Sequence, residues 1–289
     1  MGKDEWQAAM RRGDTAAALA IHDVVLAGRD VTTRDDPRAP YHLRWVWDGR
    51  PMAGRRVLVR CYHGLGDTLQ FARYLAPLRG RAAWVTLEAQ AELVALLGGL
   101  ADAVVAFDPS HPLPPDEVDV EIMELSHALR LPLDQVAPAC LVRPGPFHVA
   151  NTGLCWRAGG WDTARSIPLG LLQASVPGPW TSLQRGSAVA EAGEGFANPG
   201  DGDPDVVRTA ALILGCDRVV TVDTMVAHLA GTLGVRTLLL LRHDPDWRWG
   251  AGDMAPGYPT VRLLRQAAAG DWSVPLSALA LRTPAGSGR

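Results

Sequence analysis

The sequence contains one lysine, Lys3, among its 28 Lys and Arg residues, so arginine carries nearly all of the positive charge. It also lacks a large excess of either sign, with a formal net charge of -3 and a pI of about 6.2. This balance excludes the strongly positive field that gathers nucleic acid or anionic membrane surfaces. An anionic ligand must therefore be bound by Arg, His or backbone N–H groups.

Cysteine is also scarce, with four residues in 289, and no two of them form a C-x-x-C pair. The four are Cys61, Cys140, Cys155 and Cys216. This scattered spacing argues against a zinc site and against a small disulfide framework. We therefore expect reduced thiols in the core, which is typical of proteins in a reducing compartment.

No long uninterrupted apolar run is present. The most apolar stretch, residues 218–241, is broken by Asp223, His228 and Arg236, so it does not predict a membrane span. The N-terminus does not combine a basic start, an apolar run and a small-residue cleavage site. We therefore expect a cytoplasmic protein without an integral membrane segment.

The sequence does contain a regular alternation of strand and helix patterns. Apolar, β-branched runs such as RRVLVRC, RAAWVTLE, DRVVTVD and RTLLLLR alternate with segments of helical periodicity. Such repeats predict parallel sheets covered by helices on both faces. The periodicity stops at residues 141–153 (LVRPGPFHVANTG), where two prolines and two glycines indicate an interdomain linker.

The predicted organisation has three parts. Residues 1–40 form a helical N-terminal extension, 41–145 an N-terminal Rossmann-like domain and 146–289 a C-terminal Rossmann-like domain. The extension should hold two short helices broken at Gly13, with Asp14 capping the second. Ligands of doubly wound sheets lie outside the carboxyl ends of the strands, so the expected site is a cleft between the two halves.

A glycine turn follows the first predicted strand, in the segment HGLGDT. Gly64 and Gly66 allow close approach of the backbone to a ligand, and the following helix offers N–H groups. Leu69 stands where a dinucleotide fingerprint has its third glycine, and no Lys-Ser/Thr pair completes a P-loop. Asp67 should therefore lie at the mouth of the cleft, or, in a purely structural alternative, cap a helix that begins at Thr68.

A second strand-to-helix junction lies in the segment VDTMVAH. Asp223 ends an apolar strand, and the helix that starts at Thr224 presents its first N–H groups to whatever lies above the strand end. Such a position suits a diphosphate, because unpaired donors and the helix dipole both favour anions. His228 lies one turn further along the same face, where it could contact a phosphate, brace the loop or simply be a structural histidine.

Several ordered stretches together carry a family resemblance. They are WDGRPMAGRRVLVRCYHGLGDTLQFARYLAPL, GLCWRAGGWDTARSIPL, SLQRG, VTVDTMVAHLAGTLG, HDPDWRWG and GDW, spread over about residues 42–280. The chain resembles the heptosyltransferase-like glycosyltransferases of family 9, most closely the bacterial branch whose catalytic domain often follows tetratricopeptide repeats. The resemblance implies an α/β fold of the GT-B type, with two Rossmann-like doubly wound domains facing a central cleft and a final helix crossing back.

The resemblance also implies an activity and a set of site residues. It implies an inverting, metal-independent transferase that moves a heptose or hexose from a nucleotide-diphosphate sugar to an acceptor hydroxyl, without a cofactor. Asp67 would be the general base and Arg165 would neutralise the leaving diphosphate. The donor would be held by Gly64, Gly66, Trp156, Ser182, Gln184, Asp223, Thr224, Met225 and His228.

The chemistry of these residue types agrees with that assignment. Inverting transfer requires one base, which a carboxylate supplies, and it forms no covalent glycosyl intermediate. Helix N–H groups and an arginine can stabilise the leaving-group charge without a metal. The donor could be ADP-, UDP- or GDP-linked, and the acceptor could be a glycan, a lipid-linked sugar, a protein or a small molecule.

Some features depart from the family pattern or allow another site. The loop at residues 156–168 is shorter than the usual version, which alters the donor-side grip. His63 precedes the glycine turn and is an alternative base, although it lies on the strand side. The pair Asp201 and Asp203 matches a manganese-binding D-x-D, but a Gly/Pro-rich segment favours Asp as a turn former and helix cap.

Two other functions remain open, and a third is disfavoured. A nucleotide-sugar epimerase or hydrolase-like enzyme of the same fold would consume the donor without an acceptor. A non-catalytic nucleotide-sugar binding module would bind the donor tightly even after Asp67→Asn. A nicotinamide dehydrogenase is disfavoured, because the sequence does not contain the glycine fingerprint followed by a ribose-binding acid in the required arrangement.

Overall fold

The computed structural model divides the chain into two compact units, Met1–Val142 and Arg143–Arg289. The boundary falls within the stretch 141–153, where the sequence predicts a linker. The residues whose structure is described are 3–30, 47–160, 162–198 and 205–281. No helix in these ranges is long and apolar enough to cross a membrane.

The first unit begins with the two short helices that the sequence predicts. They are α1 (Lys3–Arg11) and α2 (Thr15–Ala27), and Gly13 between them has a positive φ of 71°. The Asp14 carboxylate accepts a hydrogen bond from Ala17 N at 3.1 Å, so it caps α2 as expected.

Helix α2 is attached to the rest of the first unit by a polar cluster. Asp23 Oδ1 lies 2.8 Å from His127 Nε2 and 2.6 Å from Arg130 Nη2. The ring of His22 stacks on that of His127, with centroids 3.8 Å apart and an angle of 13° between the planes. The extension is therefore fixed to the sheet domain by charge pairing and ring stacking.

The first unit contains a parallel sheet with the strand order β3-β2-β1-β4. The strands are β1 (Arg56–Arg60), β2 (Trp84–Ala89), β3 (Ala103–Ala106) and β4 (Val118–Glu121). The helices are α3 (Leu65–Phe71), α4 (Leu75–Arg79), α5 (Val94–Leu97) and α6 (Leu125–Ala128). The direction of strand succession reverses between β1 and β4, which makes the carboxyl ends of these strands a topological switch point.

Helix α3 corrects one sequence prediction. It begins at Leu65 with Gly64 as its N-cap, whereas the sequence predicted a start at Thr68. Gly64 has no side chain with which to cap the helix, and the Asp67 carboxylate instead accepts a hydrogen bond from Gly64 N at 3.0 Å. Gly66 thus lies inside the first turn of the helix, and Asp67 stabilises that turn from its third position.

A buried ion cluster links three strands of this sheet. Arg60 donates to Asp119 Oδ1 at 2.8 Å from Nη2 and to Glu88 Oε2 at 3.2 Å from Nη1. Each of the three side chains is at most 2 % exposed. The carboxylates also accept hydrogen bonds from the backbone of Leu113 and Asp116, so the cluster holds the loop before β4 against the sheet.

The second unit contains a parallel sheet of five strands in the order β6-β5-β7-β8-β9. The strands are β5 (Thr152–Cys155), β6 (Trp180–Ser182), β7 (Arg218–Val222), β8 (Thr237–Leu241) and β9 (Val261–Arg265). The helices are α7 (Leu169–Ser175), α8 (Val206–Leu214), α9 (Met225–Thr232) and α10 (Ser273–Leu281). This order is flavodoxin-like, and its switch point lies between β5 and β7.

The helices of the second unit are fixed by caps and by close packing. Asp205 caps α8 by accepting a hydrogen bond from Arg208 N at 2.6 Å. Gly231 allows α9 to approach β9, because a Cβ there would lie 2.9 Å from Val261 Cγ2 and 2.8 Å from the Tyr258 ring. The final helix α10 packs against α7, β8 and β9 of its own unit.

Candidate functional site

The predicted donor-side residues of the second unit gather at the switch point of its sheet. Strand β5 ends at Cys155 and its neighbour β7 ends at Val222. The segments that follow these two strands lead to opposite sides of the sheet. Divergence of neighbouring strands opens a crevice at their carboxyl ends. The segments that follow β5 and β7 therefore border a single place.

Thr224 fixes the amino end of α9 at this crevice. Its backbone is extended and its Oγ1 accepts from Val226 N at 3.2 Å, which makes it the N-cap rather than the first helical residue. The same oxygen lies 3.7 Å from Cys155 Sγ, so it also links the ends of the two strands. Met225 follows as the first helical residue, half-buried at the positive end of the helix dipole.

Arg165 brings a positive charge to the same end of β7. Its Nη1 donates to the carbonyl oxygen of Asp223 at 2.9 Å and lies 4.0 Å from Asp223 Oδ2. Its Nε lies 3.6 Å from Asp162 Oδ2. The side chain is 12 % exposed, so the guanidinium is largely shielded from water while both carboxylates remain at long distances. Low exposure strengthens the attraction of such a group for an anion.

Asp223 lies beside this arginine and is nearly buried. Burial raises the pKa of the Asp223 carboxyl above its usual range, and the Arg165 guanidinium acts in the opposite direction. The carboxyl is thus a hydrogen-bonding group whose charge depends on its arginine neighbour. A sugar hydroxyl is a suitable partner for such a group, since it can both donate and accept.

Gln184 acts as a brace in this structure. Its Oε1 accepts from the backbone N–H groups of Trp156 and Arg157 at 3.1 and 3.0 Å. Its Nε2 donates to the carbonyl oxygens of Arg157 and Arg185 at 3.2 and 3.0 Å. These hydrogen bonds engage both the oxygen and the nitrogen of the amide, so Gln184 fixes the chain after β5 at the base of the crevice.

Trp156 and Ser182 occupy different environments. The Trp156 ring is fully buried, packs on Phe196 and donates through Nε1 to Glu191 Oε2 at 2.9 Å. Its side chain therefore belongs to the core of the second unit. Ser182 ends β6, and its backbone is paired with the Asn198 amide. The Ser182 Oγ is buried and has no hydrogen-bond partner within the described parts of the chain.

His228 is buried behind the N-terminus of α9. Its ring stacks on Trp249 with centroids 4.8 Å apart, and its Nδ1 lies 3.3 Å from the Tyr258 hydroxyl. The sequence left open whether His228 contacts a ligand or braces the loop. These contacts are those of a brace, because they hold α9 against the segment that contains Trp249.

A second arginine, which is not among the site residues predicted above, also reaches this edge. Arg242 directly follows β8, and its Nη1 lies 2.9 Å from Asp162 Oδ2. Asp162 is thus shared by Arg242 and Arg165. A signal for Arg242 was present, since it is the first residue after the apolar run Thr237–Leu241, and the carboxyl-end rule applies to every strand.

The predicted residues of the first unit lie at the switch point of its own sheet. Gly64, Gly66 and Asp67 follow β1, and Gln90, directly after β2, supports this segment by donating to the carbonyl oxygen of His63 at 2.8 Å. Asp67 is half-buried. Its capping bond uses one oxygen of a carboxylate that has about four acceptor positions. Capping and a further role for Asp67 are therefore compatible.

The described residues include no group of three or more His, Cys, Asp or Glu side chains arranged to hold a metal ion. The D-x-D segment at Asp201 and Asp203 lies outside the described residues.

The sequence matches no protein-family model and no curated protein. Solved structures do match. E. coli ADP-heptose LPS heptosyltransferase II is 14% identical with a TM-score of 0.52, over 78% of this chain and 98% of that chain. E. coli heptosyltransferase WaaC with ADP-2-deoxy-2-fluoro heptose is 13% identical with a TM-score of 0.50, over 78% of this chain and 97% of that chain.

The iron-containing dodecameric glycosyltransferase TibC from enterotoxigenic E. coli H10407 also matches. It is 14% identical with a TM-score of 0.49, and the match covers 66% of this chain and 59% of that chain. At such identities the likeness concerns the fold. With the strand orders above, the two heptosyltransferase matches confirm the predicted α/β fold of the GT-B type.

Proposed function

We propose that this protein is a glycosyltransferase that moves a sugar from a nucleotide-diphosphate sugar to an acceptor hydroxyl with inversion. The observation that carries the proposal is the meeting of Arg165 with the amino end of α9 at the carboxyl end of β7. A guanidinium and the positive end of a helix dipole at one place form a site for a diphosphate. The fold shared with two heptosyltransferases supports this assignment.

These contacts support the following donor-side roles. Arg165 and the first N–H groups of α9 take up the charge that develops on the diphosphate as it leaves, which lowers the barrier to transfer. Thr224 and Met225 form the rim at the helix terminus, and Asp223 accepts hydrogen bonds from the sugar. Gln184, Trp156 and His228 hold the segments that carry these groups, and Ser182 offers a buried hydroxyl to the nucleotide.

Asp67 is the proposed general base for the acceptor hydroxyl, with Gly64 and Gly66 allowing close approach of the backbone. The carboxylate removes the acceptor proton as the oxygen attacks the anomeric carbon. Transfer then proceeds in one displacement, since the mechanism requires no second carboxylate. His63, which is exposed beside the same turn, is the alternative base.

We extend the proposal to substrates and setting. The donor is an ADP-, UDP- or GDP-linked heptose or hexose, and the acceptor is a glycan, a lipid-linked sugar, a protein or a small molecule. The protein acts in the cytoplasm and belongs with the repeat-associated branch of family 9. Transfer requires no metal ion or other cofactor, because arginine and helix N–H groups neutralise the leaving group.

The first test is a thermal-shift screen of the full chain against nucleotides and nucleotide sugars in EDTA. A ligand at a hundred times its Kd should stabilise the protein by about 2.7 kcal/mol. We expect one nucleoside diphosphate and its sugar to raise the melting temperature, and Thr224→Val and Asp223→Ala to abolish the shift. A ligand that stabilises these variants as well as the parent would place the donor elsewhere, and a shift that requires a divalent ion would overturn metal independence.

The second test separates a transferase from the other two functions. Asp67→Asn should lower turnover by about 10³-fold while donor affinity stays the same, because a base acts only in the transition state. Full turnover in this variant would remove Asp67 as the base, and His63→Gln would then be examined in the same assay. Consumption of donor without acceptor would favour an epimerase- or hydrolase-like enzyme, and tight binding without turnover would favour a binding module.

A further inference from the structure

The carboxylate of Asp162 lies between two arginines at the carboxyl edge of the second sheet. Its Oδ2 is 2.9 Å from Arg242 Nη1 and 3.6 Å from Arg165 Nε. The Asp162 side chain is 16 % exposed, while those of Arg165 and Arg242 are 12 % and 34 % exposed. One oxygen atom therefore serves two positive groups in a largely shielded position.

The two arginines reach this carboxylate from different parts of the fold. Arg242 follows β8, and Arg165 ends the short turn Thr163–Arg165 and contacts the backbone of Asp223 after β7. Because β7 and β8 are adjacent parallel strands, both guanidinium groups lie at the edge where α9 begins. This is the place to which the proposed function assigns the diphosphate.

The carboxylates at this position approach Arg165 only at long distances. Asp162 Oδ2 is 3.6 Å from Arg165 Nε and Asp223 Oδ2 is 4.0 Å from Arg165 Nη1, and both distances are long for a hydrogen bond. The Arg242 Nε is buried and has no hydrogen-bond partner in the described part of the chain. A phosphate has more acceptor oxygens than a carboxylate and suits the planar fork of arginine, so it would complete the contacts that Asp162 leaves unmade.

We propose that Asp162 is an internal substitute for a phosphate group, holding Arg165 and Arg242 together until the diphosphate of the ligand displaces it. Arg242 is then a second phosphate-binding arginine. This inference rests on the proposed donor site and adds a competitor to it: part of the binding energy of the diphosphate is used to displace the Asp162 carboxylate.

The test measures the affinity of the full chain for ADP, UDP, GDP and inorganic pyrophosphate by isothermal titration calorimetry in EDTA. Asp162→Asn removes the competing charge and should tighten binding of the diphosphate probe by about 5- to 10-fold. Arg242→Ala should weaken it by about 10-fold, the size expected for one lost charged hydrogen bond. Asp108→Asn is the matched control, since it makes the same change in net charge at an exposed site of the first unit.

Weaker or unchanged binding of the diphosphate probe by Asp162→Asn would overturn the inference. If Asp162 only supports Arg165, then Asp162→Asn weakens binding, and if it has no part in the site, affinity does not change. Asp162→Ala serves as a second variant, and circular dichroism confirms that each variant is folded. If the parent binds the probe and Thr224→Val abolishes that binding, while Asp162→Asn and Arg242→Ala have no effect, the donor site is retained and this inference alone is rejected. Absence of binding by the parent would reject both.

Discussion

Arg60 in the first unit and Arg165 in the second each lie near two carboxylates, yet their environments differ. Arg60 is 2 % exposed and makes bonds of 2.8 and 3.2 Å to Asp119 and Glu88. Arg165 is 12 % exposed and lies 3.6 and 4.0 Å from Asp162 and Asp223. Short distances and full burial are typical of a structural ion cluster. Longer distances and partial access are compatible with the ligand-binding role proposed for Arg165, so geometry, rather than residue type, separates the two arginines.

The largest effect should come from removing Arg60. Arg60→Ala leaves Asp119 and Glu88 buried without their cation, and breaking such a cluster costs about 3–5 kcal/mol of unfolding free energy. Hydrogen exchange of the β1 and β4 amides measures this loss in the first unit. The matched control is Arg56→Ala on the same strand, whose pairing with Asp116 is 55 % exposed on the arginine side and should be worth less than about 1 kcal/mol. Equal losses in the two variants would contradict the structural role of the cluster.

The stacked histidines of the first unit provide a second test of whether its buried polar groups serve stability. Burial, followed by the neighbouring His127, lowers the pKa of His22 from 6.5 to about 4. A histidine with a lowered pKa stabilises the folded state fully above pH 6.5, and this contribution is lost as the pH falls toward 4. The shift corresponds to roughly 3 kcal/mol. Denaturant unfolding at pH 7 and pH 4.5 measures it.

The control for this acid dependence is His22→Phe, which keeps a ring against His127 but cannot take up a proton. The difference in unfolding free energy between the parent and this variant isolates the histidine from the carboxylates that also titrate. The parent should lose more stability than the variant between pH 7 and pH 4.5. Parallel loss in the two proteins would show that His22 takes no part.

Arg165→Ala should have the reverse effect of Arg60→Ala, with a large change in activity and a small change in stability. We expect transfer to slow by about 10²-fold, the size of one lost charge-stabilising group. Initial rates with saturating donor and the melting temperature are measured together. Arg208→Ala, at an exposed position of α8, makes the same charge change and should leave the rate unchanged. A normal rate in Arg165→Ala would remove this arginine from the site.

The fold was predictable because its signals are local. The strands β1 and β7 are apolar runs, and each is followed by a helix whose start is marked within a few residues. The carboxyl-end rule then placed Asp223 and Thr224 at a strand terminus. The sequence predicts too late a start for helix α3, because Gly64 and Gly66 are typical of a turn, whereas the Asp67 carboxylate allows the helix to begin at Leu65.

The side-chain contacts of the candidate site and of the buried ion cluster were not predictable, because they join residues far apart in the chain. Gln184 braces residues that lie 28 and 27 positions away, and Arg60 pairs with Asp119 across 59 positions. One sequence does not show which charged residue will meet which. The same limit applies to Asp162 and Arg242, whose meeting requires the order of β5, β7 and β8 in the sheet.

The smallest expected effect concerns His228, and it tests whether contacts behind a helix can matter as much as contacts at its end. His228→Ala removes the ring that stacks on Trp249, so α9 loses part of its support and donor affinity should fall by about 2- to 10-fold, the range of about 0.5–1.5 kcal/mol for an aromatic pair. His228→Phe keeps the stacking and removes the ring nitrogens. If the histidine braces the helix, Phe restores affinity, and calorimetric titration with the nucleoside diphosphate found in the screen measures both variants. Loss of affinity in the Phe variant equal to that in the Ala variant would mean that a ring nitrogen, rather than the stacking, is needed for binding, and His228 would then join Arg165 among the groups that act on the phosphates.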